Sequence, residues 1–470
     1  MLDKETRGRL KALYQSTGDR PLSPDDPAFV NLYASDALAP SDPVEDLATH
    51  IQFSALESVQ LFSGHRGTGK STQLRVLKQR LEEDPTYKVV ICDMEDYLPM
   101  TDTVEVVDFL LAAAGALSDA LDVPELLGDD PRHEGYWARF VHWVRNTTIE
   151  ASELGIGAKA GGDVGVAELE AEAGVDIKLN LKTDISFRER LREHTRLHVG
   201  AFRKDVHDFM GACLLALRER HGEDTQLVVI YDSIEHLRGL TTNSREVADS
   251  VERLFRGHVE SMRVPNLHMI YTVPPWLRWQ RAGTTEGFDN YEQVLCVKVR
   301  ERNEGLDHVY TPHRPGLDML YQVVNARGSQ GWVEWFLGDR AAFDELALAS
   351  GGYLRDMLRL LRNLLIAANR TGVPVPDDRR AAAIEELRAG YQGFTNAEAV
   401  LLRDIEARGT LDLADASLHH RVSTFLDTHV VLAYRNGTEW YGVHPVIRED
   451  VRRRAKAWDD AQQPKTDDDS

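Results

Sequence analysis

Eight residues, Gly64-His65-Arg66-Gly67-Thr68-Gly69-Lys70-Ser71, constrain this chain more than anything else in it. They follow a short apolar run, Val59–Phe62, and open a stretch in which Leu74, Leu77 and Leu81 recur at helical spacing. The pattern G-x-x-x-x-G-K-[ST] between a strand and a helix is the sequence of a phosphate-binding loop. Glycines accept positive φ, which turns successive main-chain N–H groups inward to make an anion nest, and the helix start adds its dipole. The loop from Gly64 to Gly69 would cradle phosphates, with Lys70 on the β- and γ-phosphates and the Ser71 hydroxyl on Mg²⁺. Thr72 is expected near the α-phosphate. A chance match on a Gly-rich turn is the competing reading, and the flanking strand and helix argue against it.

The rest of the chain reads as an α/β fold around that loop. Further apolar runs lie at Val89–Cys92, Leu227–Tyr231, Leu267–Tyr271 and Val294–Val299, with helical stretches between them. Short runs without polar alternation suit strands buried on both faces, so the expectation is a parallel, doubly wound sheet. By this reading residues 1–44 are an irregular N-terminal segment, and 45–100 with 225–300 form the core. Residues 101–224 are a helical insertion, 301–390 a helical lid, 391–456 a winged helix and 457–470 an acidic disordered tail. Within the insertion, 152–184 alternates apolar and polar residues at period two and suggests a β-ribbon, either an ornament or a contact surface. Asn436-Gly437 between two apolar runs signals a type I′ hairpin, the wing of the C-terminal module.

Composition narrows the function. With 55 basic and 76 acidic residues the net charge is −21, which disfavours a chain that coats nucleic acid. The three cysteines, Cys92, Cys213 and Cys296, are too far apart in sequence to suggest a zinc site or disulfide framework. No apolar stretch approaches a membrane span, and the N-terminus lacks a secretory signal, so the expected location is the cytoplasm.

Other positions complete a nucleotide site. The run Leu227–Tyr231 ends in Asp232, a carboxylate at a strand tip suited to Mg²⁺. Ser233 follows where many hydrolases carry an acid, leaving Glu235 as the nearest carboxylate to orient the attacking water; a surface acid in a first helical turn is its other reading. Thr272, after the fourth run, is placed between the third strand and the loop, where its hydroxyl could meet the γ-phosphate or the water. Gly351-Gly352-Tyr353-Leu354-Arg355 lets a helix start close to another backbone, with Arg355 reaching for phosphates or else pairing with Asp356 or Glu345. Arg278 and Arg281 stand where a finger acting on a neighbouring subunit could lie.

Taken together, the Gly64–Ser71 loop, LVVIYDSIE, Thr272 and SGGYLRDML resemble the AAA-related P-loop ATPases, in the branch holding archaeal-type, origin-recognition-like and STAND signalling ATPases. The resemblance spans about 45–100 and 225–450. It implies ATP and Mg²⁺ as ligands, with Lys70, Ser71 and Asp232 as nucleotide and metal residues, Thr272 as sensor 1 and Arg355 as sensor 2. It also implies switching through homo-oligomers or a protein partner, in bacterial signalling or phage defence. The chain departs from the family at Ser233, in its large insertion and in the absence of a repeat array after the winged helix. Two other functions stay open: an ATP-regulated DNA-binding loader using the winged helix, and a nucleotide-binding scaffold with little hydrolysis. Cations near the wing, Arg435 and Arg452–Arg454 with Lys456, and the aromatics Trp440 and Tyr441 are the residues a duplex would need.

Overall fold

Five short strands assemble into one sheet in the computed structural model, which describes residues 2–33, 42–128, 181–240, 242–280, 285–302, 305–411 and 418–462. The strands are β1 (Ser58–Gly64), β2 (Tyr87–Asp93), β3 (Gln226–Asp232), β4 (His268–Val273) and β5 (Asn290–Val294), in spatial order β2-β3-β4-β1-β5. The pairs β2/β3, β3/β4 and β1/β4 are parallel. Every residue of β1 and β4 is buried, as helix-covered parallel strands require. The fold class is therefore α/β with a parallel sheet.

The described chain divides into two compact units: Pro43–Ser63 with Val76–Gln293, and Met1–Asp42 with Gly64–Arg75 and Val294–Ser470. The first holds the sheet. Its helix Val106–Leu121 is buried along almost its whole length, which explains a sequence apolar on all sides. Tyr231 and Tyr271 stack at 5.5 Å between ring centres, and Phe109 packs near both. Their hydroxyls donate to Ala113 O and Met262 O, so neither is left unsatisfied. Of the insertion, the helices Ile185–Thr195 and Val199–His221 are also described. The ribbon assigned to 152–184 lies outside the described residues up to 180, and 181–183 is helical rather than extended.

The second unit contains the lid and the C-terminal module. Five helices, from Arg314–Asn325 to Asp377–Ala389, enclose a core with Trp332, Phe336, Phe343 and Leu361. Leu10 and Leu13 belong to the same core, so the N-terminal segment is not irregular: Lys4–Ser16 is a helix whose N-cap, Asp3, accepts from Thr6 N–H at 2.8 Å. Its charged surface hides the helical period. Cation–π contacts add to its hold on the lid, with Arg362 over Tyr14 and Arg9 over Trp335.

The fifth apolar run also behaves differently from expectation. Only Val294 of Val294–Val299 is in a strand. Beyond it, Cys296 N–H donates to Ala433 O and Val297 N–H to Gly352 O, so the run stitches the lid to the C-terminal module instead of extending the sheet. A short apolar run carries no mark of which neighbour it will bond.

That module consists of the helices Asn396–Arg408 and His419–Asp427, the antiparallel hairpin of β6 (Val431–Asn436) and β7 (Thr438–Val443), and the helix Arg448–Gln462. Pairing centres on Gly437, with Asn436 opposite Thr438, so Asn436 is a strand residue and the two-residue type I′ loop does not form. The last helix continues to Gln462, into the segment 457–470 read as a disordered tail; 463–470 lies outside the described residues. A buried pair, Arg300 with Glu406 at 3.2 Å, and Tyr434 stacked on Trp440 at 4.3 Å hold the hairpin. Among the described residues no helix is long and apolar enough to cross a membrane.

Candidate functional site

The loop after β1 adopts the conformation its glycines allow. Gly64, Gly67 and Gly69 have φ of 144°, 91° and 102°. At Gly64 a Cβ would lie 2.5 Å from Val294 O, and at Gly67 it would lie 2.7 Å from the Arg355 guanidinium. Both positions are therefore glycine for reasons of space as well as φ. Thr68 closes the turn, its hydroxyl donating to His65 O at 2.8 Å. The helix Lys70–Glu82 starts immediately, with Lys70 Nζ donating to Gly64 O at 3.0 Å and His65 O at 3.1 Å. The ammonium thus sits on the loop's own carbonyls, beside the amides a phosphate would meet.

His65 and Arg66 tie this loop to the far end of the chain. The buried His65 ring meets Leu426 O through Nδ1 at 3.1 Å, and its Nε2 accepts from Ala433 N–H at 3.2 Å. Burial, the Leu426 bond and nearby Lys70 set its pKa at about 4, so the ring is neutral and the proton belongs on Nδ1. Arg66 O accepts from the Tyr353 hydroxyl. Tyr353 stacks on His429 at 4.7 Å, whose ring lies 5.6 Å from His65. Burial, His65 and Arg355 keep His429 neutral as well. No sequence signal pointed to His429, which stands at φ 61° just before β6.

Arg355 lies in the first turn of the helix Leu354–Thr371 with its guanidinium against Gly67. Its partner is neither Asp356 nor Glu345 but Asp19, at 2.5 Å. Asp356 instead accepts from Tyr391 at 2.6 Å and lies 3.2 Å from His444. The Thr72 hydroxyl accepts from Leu22 N–H at 3.1 Å, and Ser71 is half-buried. Gly352, at φ 73°, backs onto Val297 O so closely that a Cβ would fall 1.8 Å from it.

The acidic residues belong to the sheet unit. Asp232 ends β3 opposite Asp93 of β2, and its Oδ1 accepts from Ser233 N–H at 2.8 Å. Ser233 stands at φ 68°, a left-handed conformation that costs a non-glycine residue energy. Thr272 braces this turn: its fully buried hydroxyl accepts from Ile234 N–H at 3.1 Å and donates to Tyr231 O at 3.3 Å. Through these two bonds Thr272 positions the Asp232 turn. Glu235 is also more enclosed than a surface acid, its side chain 4% exposed and 3.7 Å from His236. His236 in turn hydrogen-bonds Glu95, just beyond β2. Sequence reasoning missed Asp93 and Glu95, because only the β2/β3 pairing brings Asp93 beside Asp232 and Glu95 to His236. Arg278 lies near Trp279 and Tyr291 at cation–π distance, and Arg281 lies outside the described residues.

Of the cations proposed for DNA, the four arginines are engaged by other groups of the same chain. Arg435 pairs with Glu439 at 3.1 Å, Arg453 with Asp450 at 2.6 Å, and Arg452 with Asp307 at 3.1 Å. Arg454 donates to Phe394 O, while Trp440 and Tyr441 are buried.

No family model and no curated protein matches the chain. Among solved structures it is similar to the ORC2 protein of Aeropyrum pernix in ADPNP–ADP complexes, at 12% identity and a TM-score of 0.41, over 95% of this chain and 98% of that one. It is likewise similar to Cdc6p from Pyrobaculum aerophilum, at 12% identity and a TM-score of 0.35, over 92% and 98% of the two chains.

Proposed function

We propose that this protein is a Mg²⁺-dependent, ATP-binding switch with slow ATPase turnover, of the AAA/STAND-like type its motifs resemble. One observation carries the reading: the loop Gly64–Lys70 has three glycines at positive φ, opens a helix, and carries its cation on its own carbonyls. That is an anion nest with a charge at its rim. Ser71 and Asp232 offer only oxygen donors, the set a hard divalent cation takes. Bound Mg²⁺ would neutralise charge on the phosphates. The chain's own residues bind and position: loop amides hold the phosphate tail, Lys70 moves from carbonyls to phosphate, and Thr272 fixes the turn that presents Asp232. Glu235 is the carboxylate for the attacking water. Its near-complete burial and the serine at 233 make hydrolysis slow, which suits a switch whose nucleotide state must last.

The output runs through the C-terminal module, a winged helix in order of elements. His65, Arg66 and Tyr353 join it and the lid to the loop, so a loop that rearranges around phosphate must disturb those bonds. The internal pairing of Arg435 and Arg452–Arg454 favours a protein partner or second copy over duplex DNA. Lys70→Ala tests the reading. ATP affinity, measured calorimetrically with Mg²⁺, should fall about 100-fold, the loss of roughly 3 kcal/mol of charge-assisted bonding. A change of less than twofold would sink it.

A further inference from the structure

The residues between the N-terminal helix and Leu22 form a strap over the phosphate loop and the lid. Asp19 Oδ2 pairs with Arg355 Nε at 2.5 Å, Arg75 donates to Pro21 O at 2.9 Å, and Leu22 N–H donates to the Thr72 hydroxyl at 3.1 Å. Three of the four residues 19–22 thus grip one helix of the lid and the first turns of the helix after the loop. Behind them, Arg362 donates to Tyr14 O at 2.8 Å and Arg327 to Ser16 O at 3.1 Å, which keeps the strap anchored.

Asp19 is the telling member. Arg355 lies against Gly67, the middle of the anion nest, and the group it holds there is a carboxylate from the chain itself. Carboxylate and phosphate oxygens compete for the same guanidinium face. Asp19 is 48% exposed on its side chain, so this pair is only weakly favourable and water-accessible, and a more highly charged oxyanion can take its place. The Leu22–Thr72 and Arg75–Pro21 bonds flank the exchange, so a displaced Asp19 pulls on both.

We propose that Asp19 is an internal competitor for the terminal phosphate: a triphosphate displaces it from Arg355 and loosens residues 19–22, whereas a diphosphate leaves the strap in place. Asp19 thereby sets how strongly the site distinguishes ATP from ADP and writes the nucleotide state into the N-terminal segment. This rests on the phosphate-site reading above.

The test uses the full chain. Affinities for a non-hydrolysable ATP analogue and for ADP are measured for wild type, Asp19→Asn and Asp19→Glu, with amide exchange followed across 17–24. Asp19→Asn should tighten the ATP analogue three- to tenfold and change ADP less than twofold, while Asp19→Glu keeps the wild-type ratio. In wild type the ATP analogue, and not ADP, should speed exchange at Leu22. An Asp19→Asn chain that binds the ATP analogue no tighter, or a wild type whose exchange at Leu22 ignores nucleotide, overturns the competitor. Wild type that binds neither nucleotide overturns the phosphate site along with it.

Discussion

Two turns leave strands of the sheet at their C-terminal ends, and they are built in opposite ways. The turn after β1 uses glycine at three positions of positive φ. The turn after β3 forces a serine into φ 68° and spends its amides at once, Ser233 N–H on Asp232 and Ile234 N–H on Thr272. In the function proposed above, the first turn receives an anion, whereas the second closes on itself and presents a carboxylate to a cation. The difference shows where each turn's strain is held. The first depends on main-chain groups of the C-terminal module that bond the His65 ring and on the Tyr353 hydroxyl, the second on one buried hydroxyl of the neighbouring strand.

Substitutions can break that contrast. The largest effect belongs to Gly64→Ala, since the new Cβ would meet Val294 O at 2.5 Å with φ at 144°. A loss of about 3–4 kcal/mol is expected by urea unfolding, from strain and overpacking together.

Next comes pH. His65 holds a pKa of about 4 against an ordinary 6.5, so the unfolded chain binds the extra proton between those values. Its contribution is complete above pH 6.5 and fades as pH falls towards 4, by on the order of 3 kcal/mol at most. His65→Gln, which can donate to Leu426 O and accept from Ala433 N–H, should flatten the unfolding midpoint over that window. An unchanged slope would mean that the loop is not pinned through this ring.

Thr272→Val should cost about 2 kcal/mol, because a buried Ile234 N–H loses its acceptor, and should weaken Mg²⁺-dependent nucleotide binding more than binding without the metal. The smallest change has the opposite sign: Ser233→Gly relieves the left-handed residue and should gain about 0.5–1 kcal/mol in thermal unfolding, after glycine's entropic cost. A destabilised Ser233→Gly would show that this turn carries no strain and that the contrast is wrong.

Four strands of the sheet were legible because they are short apolar runs bounded by turn residues, whereas β5, Asn290–Val294, is largely polar and carries no such mark. The loop was legible because glycine spacing encodes backbone conformation directly. What escaped was set by long-range bonds. Val294–Val299 looks like a strand, yet most of it bonds Gly352 and Ala433, residues whose proximity no local pattern announces. The helix Lys4–Ser16 has only Leu10 and Leu13 buried, too few for a period to stand out. The sequence offers Arg355 only nearby acids, Asp356 and Glu345, as ion-pair partners, whereas Asp19 lies 336 positions away. The bracing role of Thr272 also needed coordinates, since its partners are main-chain groups of the neighbouring strand and turn.

The imidazole of His65 spans positions 361 and 368 residues apart from it in sequence, one bond to each. A fragment ending near residue 390 would keep the whole glycine motif and remove the one acceptor and the one donor that this ring depends on. Such a fragment should fail to hold nucleotide although every motif residue is present, so expression fragments of this protein are best cut after the last helix and not at the boundary of the lid.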